Sequence, residues 1–259
     1  MKLPIYQVDA FTSRLFGGNP AAVVLLDEWL PDRVMQNVAL ENNLSETAFV
    51  IPRENASELR WFTPTVEVDL CGHATLAAGH VLFKHRYPTL NQIQFKTRSG
   101  ILGVQRNGEV LSLDFPSLSV APAKVSGVKE ALGALPRETL MSNSLLAVFD
   151  SEDEIRAIQP DYERVAALGA WMVIVTARGK DVDYVFRVFA PGAGIPEDPA
   201  TGSAHCTLIP YWAARFGKSN FNARQLSGRI GEFECELHGS RVSISGRAVE
   251  YLHGEIHVG

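Results

Sequence analysis

Two stretches of this chain combine residue types that can hold a proton and move it. Residues 194–205 read GIPEDPATGSAH: Glu197 and Asp198 stand between two prolines, and Thr201, Gly202 and Ser203 follow. Residues 66–77 read VEVDLCGHATLA, a looser copy in which an acid precedes a short turn and then Cys71, Gly72 and His73. Each turn opens an apolar run, as a helix start does. The first N–H groups of a helix are unpaired and lie at the positive end of its dipole, so either corner can receive a carboxylate. Glycine at such a place also serves plain turn chemistry. Asp198 can cap its helix, act as an acid–base group, or do both. Glu197 beside it is expected to be solvated. His73 can shuttle a proton near neutral pH, or simply pack. Glu46, in NLSETAFV, either lies exposed at a strand edge or is carried into a cleft, where desolvation would raise its pKa and suit it to general acid–base work.

Other chemistries find less support. His73, His80 and His85 do not repeat at a spacing that makes a zinc site, and no Cys-x-x-Cys pair exists, so no metal is expected. No phosphate-cradling Gly-rich loop follows a strand. The nucleophile-elbow motif GxSxG is missing too. Apolar residues make up 46% and charged residues 20%, which is the composition of a packed globular protein. A net charge of −5 without a basic run gives no reason to expect nucleic acid or an anionic membrane as partner. The first residues, MKLPIYQVDAF, do not resemble a signal peptide, and no apolar stretch approaches the ~20 residues of a membrane span. Cys71, Cys206 and Cys235 are odd in number and far apart, so free thiols in a reducing cytoplasm are expected.

The elements that must position these residues follow from patterning. Residues 3–10, 20–26, 47–51 and 59–62 read as strands. Pro31 stands where a first helical position would be, before an amphipathic helix. ATLAAGHVLF, after Gly72, is apolar on nearly every face and predicts a helix buried all round. Three short strands near 92–97, 100–105 and 109–115 follow, with Asn107-Gly108 as a hairpin signal. FPSLSVAPAKVSG (115–127) has the Pro and Ser content of a linker. The order then recurs: strand 145–149, a capping box SEDE at 151–154, strands 171–177 and 184–190, and a second apolar helix from Gly202 to Phe216. Gly217 is a plausible cap for that helix, and Pro210 would kink its middle. LRWFTP (59–64) superposes on FRVFAP (186–191), each followed by an acid-containing loop and a Gly-x-Ala corner. An internal duplication is expected, with each half wrapping strands round one buried helix; two unrelated α+β domains with similar turns are the alternative. The expected domains are 1–115, joined by part of 246–259, and 116–259. If the halves face each other, both helix starts could share one cleft, with ligand carboxylate at Gly72-His73 and Gly202-Ser203 and Asp198 paired with His73.

VDAFT with GNPAAVV (8–24), NLSETAFV (43–50), RWFTPTVEVDLCGHATLA (60–77) and RVFAPGAGIPEDPATGSAHCTL (187–208) resemble the PhzF-like, phenazine-biosynthesis-like protein family. The resemblance implies the diaminopimelate-epimerase fold, an α+β architecture of two pseudo-symmetric domains, each a barrel-like sheet round a central helix. It implies an isomerase that moves a proton on a small cyclic or amino carboxylate without metal or organic cofactor. Glu46 would be the principal acid–base group, with His73, Asp198 and Ser203. Gly18 and Asn19 would help shape the pocket, together with Cys71, Gly72, Thr201 and Gly202 at the helix starts. A homodimer is implied as well. Related racemases use two opposed cysteines. Here Cys71 keeps one position and Thr201 stands at the other, and a hydroxyl is far too weak an acid to replace a thiol. Racemisation is therefore disfavoured, and a non-catalytic carboxylate-binding protein on the same fold is the remaining alternative.

Overall fold

The computed structural model describes all 259 residues apart from the side chain of Ala193. In chain order the elements are β1 (Lys2–Ala10), β2 (Asn19–Leu25), α1 (Asp32–Asn42), β3 (Glu46–Ile51), β4 (Ser57–Phe62), β5 (Glu67–Val68), α2 (Gly72–His85), β6 (Gln92–Thr97), β7 (Gly100–Asn107) and β8 (Val110–Pro116). There follow β9 (Ala121–Pro122), α3 (Val128–Leu132), β10 (Glu138–Met141), β11 (Leu145–Val148), α4 (Glu152–Ala157), α5 (Tyr162–Ala167), β12 (Val173–Arg178), β13 (Tyr184–Ala190) and β14 (Ile195–Asp198). After a 3-10 turn at Gly202–Ala204 come α6 (His205–Phe216), β15 (Asn220–Gln225), β16 (Gly231–His238), β17 (Arg241–Gly246) and β18 (Ala248–His257).

The chain divides into two compact units, Met1–Asp114 with Ser245–Gly259, and Phe115–Ile244. In the first, β18 and β2 flank β1, β2 runs parallel to β3, β3 antiparallel to β4, and β4 parallel to β6, which leads into the antiparallel β7 and β8. Helix α2 packs against β1, β2, β3, β7 and β18. Its residues are buried on all sides, as an apolar sequence without a polar stripe requires. Gly79 makes the close fit possible: a Cβ there would lie 2.9 Å from Val104 Cγ1.

The second unit repeats the pairing scheme. Strand β11 runs parallel to β12, β12 antiparallel to β13, β13 parallel to β15, and β15 antiparallel to β16. A short antiparallel strand branches off at the same place in each copy, β5 from β4 and β14 from β13. The duplication extends to side chains. Arg60 of β4 grips Glu67 of β5 through two 2.7 Å hydrogen bonds, and Arg187 of β13 grips Glu197 of β14 at 2.8 and 2.9 Å. Glu197 is thus not a solvated neighbour of Asp198: it is the fixed partner of a planar guanidinium, the geometry that favours bidentate pairing.

Three local expectations change. Pro31 is the N-cap of α1 rather than its first helical residue. The 115–127 stretch is not wholly linker, because Ala121 and Pro122 pair with Met141 and Leu140. The second apolar helix starts at His205, after the 3-10 turn. Pro210 lies within a continuous α6. A proline interrupts a helix chiefly by leaving the carbonyl four residues earlier without a donor. Here that carbonyl, of Cys206, accepts from Leu118 N at 2.8 Å, so the lost bond is replaced from outside the helix. The capping box on α4 forms through Ser151 and Glu154, and Gly217 ends α6 in the left-handed conformation with φ 65°.

Candidate active site

Glu46 is the first residue of β3, aligned beside Ala21 of β2, and His73 is the second residue of α2. The parallel pairing of β2 with β3 and the packing of α2 on both strands bring these residues together. His73 Nε2 lies 3.1 Å from Glu46 Oε2. The contact is close but poorly aligned, since neither atom has a hydrogen-bond partner among the described residues. We therefore describe it as an ion-pair contact. On the other ring nitrogen, Nδ1, stand Asn19 Nδ2 at 3.2 Å and Cys71 Sγ at 3.5 Å. An amide donor at Nδ1 makes that atom an acceptor and leaves the neutral ring's proton on Nε2, facing the carboxylate.

All four residues are buried. Burial disfavours a charged imidazole, but the thiol and the carboxylate on its two sides outweigh it and hold His73 well above its ordinary pKa. For Cys71, burial pushes the thiol up and the charge of Glu46 adds to the effect. The thiol therefore keeps its proton at neutral pH. Oxygen, nitrogen and sulfur ligand atoms of Glu46, His73 and Cys71 lie within 4.8 Å of one another. Carboxylate and thiol flank opposite nitrogens of the ring, however, which suits a line of proton transfer better than a chelate.

Gly18 sets Asn19 in place. Its φ of +58° and its approach to the chain, where a Cβ would fall 2.0 Å from Ala10 O, exclude any side chain. Thr75 Oγ1 donates to Cys71 O and so ties down the first turn of α2.

In the second unit, Asp198 ends β14 and Thr201 precedes the 3-10 turn. The Thr201 hydroxyl donates to Asp198 Oδ2. Gln225 then locks the loop: its Oε1 accepts from Thr201 N at 2.7 Å, and its Nε2 donates to Asp198 O. Ser227 Oγ also donates to Asp198 O, at 3.1 Å. Gly202 is buried and Ser203 half-buried in the following turn. The structure thus groups Asn19, Glu46, Cys71 and His73 in one unit, and Asp198 and Thr201 in the other. Two features escaped the sequence reading, the apposition of Glu46 with His73 and the clasp made by Gln225. Neither has a local signal, because the partners come from elements that only the sheet pairing brings together.

The second unit also holds a polar cluster of a different kind. His205 Nδ1 lies 2.8 Å from Tyr184 Oη and 3.3 Å from Cys235 Sγ, with the rings of Phe186 and Phe233 against the imidazole. Burial alone lowers His205 to about 3, and it lifts the Cys235 thiol to about 12.

Comparison with known proteins bears on the family and the fold. The family described as phenazine biosynthesis-like protein matches residues 8–254. An uncharacterized isomerase of Pseudomonas aeruginosa is 52% identical over 260 residues, covering 99% of each chain. The crystal structure of a PhzF-family phenazine biosynthesis protein from Enterococcus faecalis has a TM-score of 0.97 at 43% identity, covering 100% of both chains. A predicted epimerase of Pseudomonas aeruginosa has a TM-score of 0.78 at 20% identity over 99% of this chain and 100% of its own, which speaks for the fold alone. With two units of one topology, each carrying a buried helix, the chain belongs to the phenazine biosynthesis-like family and is an α+β isomerase of diaminopimelate-epimerase fold.

Proposed function

We propose that this isomerase shifts a proton on a small cyclic or amino carboxylate, using its own side chains and no cofactor. Glu46 is the acid–base group, and His73 holds and returns the proton at Nε2. The observation that carries this reading is the buried Glu46–His73 contact at 3.1 Å. A carboxylate and an imidazole that compete for one proton out of water can pass it at little cost, as general acid–base catalysis requires. Asp198 and Ser203 contribute to turnover in the same proposal, on the strength of the DPATGS motif. Two-thiol racemisation is disfavoured on two counts: the Cys71 thiol is held protonated, and the Thr201 hydroxyl is engaged with Asp198. The homodimer is part of the proposal too. It is supported by exposed Phe16, 68% accessible and edge-on to Tyr251, and is tested by sedimentation.

The deciding experiment is incubation with a panel of small cyclic and amino carboxylates in heavy water. Carbon-bound deuterium should appear with the wild-type protein and be lost in Glu46→Gln. A binding protein without turnover would incorporate none.

A further inference from the structure

A hollow lies in the unit Phe115–Ile244, lined by Arg137, Val148, Phe149, Asp150, Arg178, Trp212 and Arg215, with a volume of about 240 Å³. Its walls come from the approach to β10, the end of β11, the end of β12 and the last turns of α6. Val148, Phe149 and Trp212 are almost fully buried, and what little they expose forms an apolar floor. Trp212 is fixed from behind, its Nε1 donating to Thr176 Oγ1 at 3.1 Å and its ring stacked between Tyr184 and Phe216.

The rim is cationic. Arg215 Nη2 is bound to Glu138 at 2.5 Å, while Arg137 is shared loosely between Glu138 at 3.5 Å and Asp150 at 3.4 Å. Arg178 lies with its guanidinium carbon 4.6 Å above the Phe216 ring and has no carboxylate within ion-pair distance among the described residues. Three cations thus face two carboxylates, and the uncompensated one is a planar guanidinium whose flat face is already supported. Its N–H edge remains available, in the fork geometry that suits a carboxylate. Like charges gathered round a concave surface strengthen the local field and attract anions.

We propose that this hollow binds a small monocarboxylate with an apolar ring, the carboxylate at Arg178 and Arg215 and the ring on the Trp212 floor. The space equals that of roughly eight waters, and it falls below the ~300 Å³ at which pockets for larger ligands begin. A single-ring acid fits it; a dinucleotide or a peptide does not. None of these residues belongs to the Glu46–His73 centre, so this proposal stands or falls apart from the proposed reaction.

The test is titration of the full chain with benzoate, followed through the arginine Nε–Hε NMR signals and by calorimetry, with inorganic phosphate as a second arm. Benzoate should shift the Arg178 and Arg215 signals, and Arg178→Gln should weaken that binding by at least ~10-fold, the range expected for loss of one charge-assisted contact. Arg178→Lys, which retains a cation, should bind with intermediate affinity and serves as the folded control. Glu46→Gln should leave the affinity of this site unchanged. The proposal is overturned if benzoate leaves the Arg178 signal in place, or if Arg178→Gln binds as the wild type does. Phosphate binding as tightly as benzoate would overturn the role of the apolar floor.

Discussion

His73 and His205 stand at the start of the buried helix in their respective units, and both are removed from water. Their surroundings give them opposite character. His73 faces a carboxylate and is held above its ordinary pKa, whereas His205 faces a phenol, a thiol and aromatic rings and is pushed down to about 3. Burial alone makes a histidine a neutral core residue. A partner at contact distance overrides burial and favours the protonated form of the same residue. The partner, not the depth, decides which form each ring takes.

The largest effect expected from this contrast is on acid stability. A His205 pKa lower in the folded than in the unfolded protein contributes stability that is whole above about pH 6.5 and is lost as pH falls toward 3. The full difference amounts to roughly 5 kcal/mol. Denaturant unfolding at a series of pH values should show this slope, and His205→Phe should remove it. The variant should also lose roughly 1–3 kcal/mol at neutral pH, because the Tyr184 hydroxyl then loses its nitrogen partner and keeps only Cys235 Sγ at 3.6 Å. An unchanged acid slope in His205→Phe would mean that His205 is not the buried neutral group described here. His73 acts in the opposite direction: its raised folded pKa adds stability that is complete below about pH 6.5 and fades as pH rises through that folded value.

Next in size is the catalytic effect of the charge. Glu46→Gln keeps the shape but removes the carboxylate beside Nε2, and turnover should drop by roughly 10²-fold or more. Imidazole NMR titration should then find His73 lowered, toward the character of His205. A His73 pKa that stays high in this variant would assign the effect to another group.

The smallest effect is expected at the thiol. Cys71→Ser should keep proton transfer within about tenfold of wild type, because the buried thiol is already protonated at working pH. Abolished turnover with an intact fold would restore a thiol-based mechanism.

The fold could be read in the sequence wherever its cause is local. The all-apolar run after Gly72, the Ser151–Glu154 box and Gly217 each carry their reason within a few residues. At Pro210 the donor that serves Cys206 O comes from Leu118, outside the helix, and no local signal announces it. Glu197 misled because its partner Arg187 lies across the β13–β14 pairing. At the site, motifs drew notice to Glu46 and His73 one at a time, but their apposition depends on parallel strand pairing, which leaves no mark in either motif. His205 sits within the quoted motif GIPEDPATGSAH and gave no sign of its phenol and thiol partners, which belong to β13 and β16.

The return of β18 to β1 bears on the order of assembly. Lys2 pairs with His257 and Ala10 with Ala248, so the first unit gains one flank of β1 only after the whole second unit has been synthesised. The second unit is continuous and needs no such wait. During translation it is expected to close first, while β1 holds an open hydrogen-bonding edge that a neighbouring nascent chain could capture. The β1–β18 pairing joins ends far apart in the sequence, and contacts of that separation form late and slowly. In refolding from denaturant the slowest phase should therefore report on β18, and a chain stopped before Ala248 should aggregate rather than remain half-folded.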